Sequence, residues 1–241
     1  MNKLNKNSDK PSIAICFPVY RDEGTVETVA IKSLKVLADI ASKYKVIIVD
    51  DGSPDKSGEI ADKLAEKYSN IISIRHESNL GYGAALQTGF KYSLDYEWIC
   101  FTDGDNQYDV NELYHLSKLF NHYNLIVTFR YSKIYGTLRI FISYIYNLII
   151  RLLFKTYLRD HNCGLKLIRS DVIREMELIS NSAFIGPEII INAMVKGHPI
   201  GEAGIRTYPR TFGESSVMSI RHITNSIIDM FRVYKKIFKQ K

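Results

Sequence analysis

Residues 97–109 read EWICFTDGDNQYD, an apolar, aromatic run that turns abruptly acidic at Asp103. The first part has the composition of a buried strand. The second places Asp103, Asp105 and Gln107 at alternate positions directly after it. Working outward, similar Ile-, Val- and aromatic-rich runs recur at 12–20 (SIAICFPVY), 45–49, 71–75 and 125–129. Between them, 24–43, 57–68, 83–94 and 110–123 carry helical periodicity. Strands alternating with helices predict a mostly parallel sheet covered by helices on both faces, an α/β fold. Ligands of such sheets bind beyond the carboxyl ends of the strands, where this chain concentrates its polar residues.

In an extended segment Asp103, Asp105 and Gln107 point the same way and offer hard oxygen ligands for Mg2+ or Mn2+. An acidic turn closed by its own Asx hydrogen bonds is the alternative. A second strand end reads VDDGSPD; Asp50 and Asp51 could accept hydrogen bonds from a nucleobase or ribose, or serve a turn in which Ser53 or Asp55 caps a helix. A third element, Asn79-Leu80-Gly81-Tyr82-Gly83, enters a helix, and its glycines permit close approach of the backbone to a phosphate. Phe17-Pro18-Val19-Tyr20-Arg21-Asp22-Glu23 offers an aromatic face for a base and Glu23 for sugar or base contacts.

The 241 residues suffice for one large domain, and 46% hydrophobic content supports a sizeable core. Cys16, Cys100 and Cys163 lie far apart, as buried or free thiols rather than zinc ligands or a disulfide framework. Residues 1–12 read as a mobile tail rather than a signal peptide. The net charge of +6 sits in the second half, where 130–169 carries eight Lys/Arg against Asp160 alone. In 137–159, Arg139, Ser143, Asn147, Arg151, Lys155 and Arg159 recur every fourth residue in an otherwise apolar helix. That stripe, with Tyr144, Tyr146 and Tyr157, predicts a helix lying in a membrane interface; a buried core helix is the alternative. Residues 217–241 predict a second, basic amphipathic helix, and no segment is apolar for long enough to span a bilayer. The basic charge matches no nucleic-acid-binding module.

Taken in order, FPVYRDEGTV, VIIVDDGSPD, NLGYGAALQTGF and TDGDNQYD resemble the family 2 glycosyltransferases with the GT-A fold. RDHNCGLK (159–166), GPEI (186–189) and YPRTFGES (208–215) are similar to the polyprenol-phosphate branch of that family. The resemblance covers roughly 11–217. It implies an inverting transferase, cytoplasmic and peripheral on a membrane, that moves a sugar from a UDP-, GDP- or dTDP-linked donor to a polyprenyl phosphate. Asp103, Asp105 and Gln107 then become the Mg2+ or Mn2+ site. Pro18, Tyr20, Glu23, Asp50, Asp51 and Gly81 line the nucleotide pocket, and Arg130 and Arg139 meet donor and acceptor phosphates. Asp160 sits beside the sugar, and Arg210 lies in a loop closing over the site. The implied organisation is one domain, with 11–130 binding the nucleotide-sugar, 131–216 the acceptor, and 217–241 the membrane, directly or through an anchoring partner. Two positions depart from the pattern: Arg21 where asparagine is common, and Ser216 where lysine often stands. A transferase for a soluble or glycan hydroxyl and a non-catalytic nucleotide-sugar-binding or scaffold protein are the rival expectations. In the first of these, Asp160 would be the candidate base.

Overall fold

The computed structural model describes residues 10–131, 136–213 and 220–238; the side chains of Leu138, Arg139 and Ile220 fall outside that description. Most of the tail, Lys133, Ser216 and the last lysines therefore also lie outside it. Among the described residues, seven strands form one sheet in the order β3-β2-β1-β4-β6-β5-β7. They are β1 (Ser12–Val19), β2 (Lys43–Asp50), β3 (Ile71–Arg75), β4 (Trp98–Phe101), β5 (Leu125–Arg130), β6 (Lys166–Arg169) and β7 (Ile200–Ile205). Only β6 runs against its neighbours β4 and β5. The expected mostly parallel sheet is present, with one strand reversed.

The central strands show why the apolar runs had to be strands. Along β1, Ile13, Ile15, Phe17 and Val19 join one core, while Ala14 and Cys16 join the other. Along β2, Val46 and Ile48 face the first core, and Ile47 and Val49 the second. A sheet buried on both faces needs such continuous apolar runs. Helices α1 (Val26–Ile40) and α2 (Ser57–Lys67) cover one face, together with α4 (Leu113–Leu116). Helices α3 (Tyr82–Ser93), α6 (Ser170–Arg174) and α7 (Ile185–Val195) cover the other. Cys16, Cys100 and Cys163 are buried free thiols.

Three boundaries differ from the sequence reading. The first helix stops at Ile40 because Lys43 already pairs with Ser12 in the sheet. The 110–123 helix is a single α turn between 3-10 turns Val110–Glu112 and Ser117–Leu119. The helix expected over 137–159 is α5 (Thr137–Phe154), which ends where Lys155 adopts a left-handed backbone, φ 54°. Sequence reading assigned none of β6, β7, α6 or α7. β6 and α6 are four and five residues long, and α7 is apolar nearly all round, so it lacks an amphipathic signature.

Helices α5 and α8 (Ile220–Phe238) meet on a third cluster of Ile150, Phe154, Phe184, Ile191, Met230 and Val233. The rings of Phe154 and Tyr234 lie 5.8 Å apart, edge to face. Their outer faces are apolar and exposed: Phe141 is 61% accessible, Leu152 72% and Phe231 52%, with Ile145, Ile149, Ile227, Ile228 and Phe238 beside them. On α8, Ile223, Ile227 and Phe231 lie on this exposed side, and Ser226, Asp229, Met230 and Val233 face inward. No helix among the described residues is long and apolar enough to cross a membrane.

The polar stripe of α5 requires a correction, because Asn147 points into the protein rather than to solvent or headgroups. It is 2% exposed, and its Oδ1 accepts the backbone N–H of His161 (3.0 Å) and lies 2.8 Å from His161 Nδ1. Burial, then the Lys166 charge, push the His161 imidazole down to about 4. The neutral ring therefore donates from Nδ1, and Nε2 accepts from the Thr156 hydroxyl at 2.6 Å. This network ties α5 to the 159–165 loop. Asn147→Leu should leave two buried donors without an acceptor and cost about 1–3 kcal/mol. An unchanged urea midpoint would show that the tie contributes nothing.

Candidate active site

The acidic segment after β4 owes its position to a glycine. Thr102 N–H donates to Cys16 O (3.2 Å), and the Thr25 hydroxyl donates to Gly104 O (2.8 Å). A Cβ on Gly104 would lie 2.8 Å from both the Pro18 carbonyl oxygen and Val19 Cγ1, so only glycine lets Asp103 and Asp105 press against the end of β1. From that end the chain turns back at Arg21, whose left-handed φ of 61° asparagine tolerates better than most residues. The turn directs Asp22 at the same place, and its carboxylate accepts the Tyr20 N–H at 3.1 Å.

Three carboxylates thus gather at the crevice between β1 and β4, where strand order reverses. Burial pushes Asp22 up to about 6, with Asp105 among the raising charges. Burial and then Asp105 raise Asp103. Each group has a different compensation. Tyr82 OH donates to Asp103 Oδ1 at 2.7 Å. Arg210 holds Asp105 Oδ2 through Nε (3.3 Å) and Nη2 (3.1 Å), with Asp22 Oδ1 3.6 Å from Nη2. Asp22 Oδ1 is buried and accepts no hydrogen bond. The segment carrying Arg210 also packs Phe212 against Gly24. Gln107 joins this group through its backbone, whose N–H donates to Asp105 Oδ1 at 3.0 Å, while its side-chain amide donates to Tyr208 O at 3.3 Å.

The nucleotide-pocket candidates divide into exposed and structural. Tyr20 is 36% exposed, with the Arg21 guanidinium 5.5 Å over its ring, while Pro18 is buried in β1. Glu23 accepts the Lys56 N–H at 3.0 Å. Asp50 accepts the Ser53 N–H (2.9 Å) and pairs with Arg75 Nε (3.3 Å). Asp51 is used more fully, accepting the N–H groups of Leu80 and Gly81 at 2.9 Å each and meeting His76 Nδ1 at 2.8 Å. Its carboxylate shapes the 79–81 turn from the neighbouring strand end.

On the far side of the site, Arg130 and Asp160 form a buried bidentate pair at 2.7 and 3.1 Å, with side chains 8% and 3% exposed. Asp160 also accepts the Asn162 N–H at 3.1 Å. Lys166, 1% exposed, donates to Cys163 O, and burial lowers its pKa while Asp160 and Asp103 oppose that shift. Arg139 stands at the head of α5, and its side chain lies outside the described residues.

Among the described residues, no three His, Cys, Asp or Glu side chains form a ready metal cage. Magnesium sites commonly use one or two carboxylates completed by substrate phosphates. Asp103 and Asp105, with the unsatisfied Asp22 Oδ1 beside them, are a donor set of that hard-oxygen kind. Sequence reading passed over Asp22, Tyr82 and Lys166. Asp22 could have been found as an acid after a strand on the active edge; nothing local marks Tyr82 or Lys166.

Residues 14–179 match the family described as Glycosyl transferase family 2. An undecaprenyl-phosphate 4-deoxy-4-formamido-L-arabinose transferase of Shewanella sediminis is 27% identical over 95% of this chain, which spans 67% of that relative. The glycosyltransferase AglD of Haloferax volcanii is 25% identical over 88% of the chain, which spans only 35% of it. The fold matches glucosyl-3-phosphoglycerate synthase from Mycobacterium tuberculosis, solved with Mn2+, UDP and phosphoglyceric acid, with a TM-score of 0.71. That match has 14% identity and covers 95% of this chain and 80% of the other. The same synthase with Mg2+ and UDP has a TM-score of 0.68 at 15% identity, covering 94% and 80%.

The Arg130–Asp160 pair generates a test. Arg130→Met should cost about 3–5 kcal/mol in urea denaturation, because Asp160 is left buried without its partner. The double variant Arg130→Met/Asp160→Leu should recover most of that loss; equal instability of single and double variants would count against the pair.

Proposed function

The chain belongs to glycosyl transferase family 2, and on that premise we propose that it is an inverting, divalent-cation-dependent transferase. It would move a sugar from a nucleotide diphosphate donor to a polyprenyl phosphate, working peripherally at the cytoplasmic face of a membrane. One observation carries the choice of acceptor: the polar edge of the sheet is tied directly to a helix pair whose outer face is apolar and exposed. A water-soluble acceptor gives that face no purpose, whereas an acceptor embedded in a bilayer requires the enzyme to meet the interface. The Shewanella sediminis relative, a transferase acting on undecaprenyl phosphate, supports the same reading.

Asp103 and Asp105 would hold Mg2+ or Mn2+ together with donor phosphate oxygens. A cation bound there supplies positive charge opposite the departing diphosphate. Gln107, turned to Tyr208, is assigned to orienting the segment that bears Arg210. Arg210 would neutralise the diphosphate from above, exchanging its contacts with Asp105 and Asp22 for phosphate oxygens. Pro18, Tyr20, Glu23 and Asp50 line the side where the nucleoside would lie, and Asp51 with Gly81 holds the neighbouring turn. Arg130 and Arg139 would meet phosphate charge on the acceptor side. In domain terms, 11–130 would bind the donor, 131–216 the acceptor and 217–241 the membrane.

Attack on the sugar from the face opposite the leaving group inverts the anomeric centre. A polyprenyl phosphate is ionised near neutral pH and needs no base. Asp160 suits that chemistry: Arg130 and Asn162 occupy its oxygens, leaving it poorly placed to take a proton from a hydroxyl.

The protein should be incubated with Mn2+, undecaprenyl phosphate in vesicles and a panel of UDP-, GDP- and dTDP-sugars. Sugar extracted into organic solvent is the expected result. Product confined to water would support a hydroxyl acceptor, and an untouched panel would remove the transferase reading. Asp105→Ala should lower transfer at least about a hundredfold. Ile227→Glu/Phe231→Glu should weaken vesicle association at least about tenfold, with melting unchanged; sedimentation equal to wild type would detach α8 from the membrane.

A further inference from the structure

Helix α8 has an inner face unlike that of an ordinary packing helix. Among Met230 and Val233 it buries Asp229, 5% exposed, and Asp229 Oδ2 accepts the N–H groups of Asn181 (3.1 Å) and Ser182 (3.0 Å). The preceding two amides are bound by a second buried carboxylate. Glu188 on α7, fully buried, accepts the N–H groups of Ile179 and Ser180 at 2.9 Å each. Four consecutive amides are therefore held by two acids from two helices. Burying charge is expensive unless its hydrogen bonds are made, and here that expense fixes one short turn in place.

The turn in turn grips the amino end of α3. Asn181 O accepts the Gly83 N–H at 2.9 Å, and Ser180 O accepts from Gln87 Nε2 at 3.0 Å. A Cβ on Gly83 would lie 2.7 Å from Ser182 O, so the approach requires glycine there. On the other side Asp51 binds Leu80 and Gly81. Tyr82 lies between these two clamps, and its hydroxyl is the group that meets Asp103, at 2.7 Å.

We propose that Tyr82 and Asp229 are positioning residues for the cation: Asp229 fixes the 179–182 turn, the turn fixes the start of α3, and Tyr82 thereby orients the Asp103 carboxylate. This rests on the reading of Asp103 as a cation ligand. Groups that orient a ligand oxygen commonly change metal affinity about 10–100-fold when removed. A tyrosine hydroxyl on Oδ1 leaves Oδ2, which lies beside Gly164, free to meet an ion, and a drifting turn would lose that orientation.

The test is Mn2+ binding by the full chain, read from the free-ion electron paramagnetic resonance signal without nucleotide and with UDP, GDP or dTDP added. The variants are Tyr82→Phe, Asp229→Asn and the double variant, with Arg232→Ala as a control that removes only Asp229's partner on its own helix (3.1 Å). Each single substitution should weaken Mn2+ binding about tenfold, and the double variant should be no weaker than either. Arg232→Ala should bind as wild type does. Tyr82→Phe removes one oxygen and keeps the ring, so it reports even where Asp229→Asn disturbs folding. Wild-type affinity in Tyr82→Phe, or fully additive losses in the double variant, would overturn the relay while leaving the cation reading intact. Wild-type protein that leaves Mn2+ free in every one of these conditions would remove the cation reading itself.

Discussion

Like charges crowded into a partly dry crevice repel, and the structure around Asp22, Asp103 and Asp105 is organised to hold them together despite that. Asp103 and Asp105 rely on groups from distant parts of the chain, and Asp22 on an amide two residues before it. Tyr82 comes from the start of α3, Arg210 from beyond β7, and the Tyr20 amide from the end of β1. Lys166, at the head of the reversed strand β6, adds positive charge beneath Asp103. Such a cluster is unfavourable for stability and useful for chemistry, because a cation held there would relieve the repulsion.

The same residue types also do quieter work. Asp51, Glu188 and Asp229 bind backbone amides and shape turns, and Asn147 does so with an amide oxygen. Arg130 and Asp160 neutralise one another. An acidic or basic side chain at the active edge is thus either a group aimed at ligand or a strut for the loop that aims it, and its hydrogen-bond partners separate the two. Helices α5 and α8 show a similar division between faces. Their inner sides build the third core and anchor the 159–165 and 179–182 loops, while their outer sides stay apolar and open. Packing against the protein and meeting an interface use different stripes of the same helix, so one does not preclude the other.

The parallel sheet was legible because strands buried on both faces need uninterrupted apolar runs, and 12–20, 45–49 and 97–102 are such runs. The acidic turn was legible as a cluster of carboxylates directly after an apolar run, although Asp51, in the same kind of place after β2, serves a turn instead. Local pattern failed where partners are remote. Nothing near Asn147 says that it faces His161 rather than water, and its spacing on α5 matched a polar stripe. Beside the bridge between Tyr108 and Thr207, the Gln107 side chain meets Tyr208 O, a partner from the far end of the chain, while its backbone N–H stays on Asp105.

Sequence by itself determined strands β1 to β5, the polar edge beyond their carboxyl ends, the motifs of family 2 and the two amphipathic helices, since all of these follow from periodicity and from residues adjacent in the chain. Only tertiary structure decided which carboxylates meet. Asp22 joins Asp103 and Asp105 across the β1–β4 crevice, Arg130 closes on Asp160, and Tyr82 reaches Asp103 through a turn held by α7 and α8. Those choices depend on groups tens of residues apart being brought within hydrogen-bond reach, and hydrogen bonds act only over such short distances.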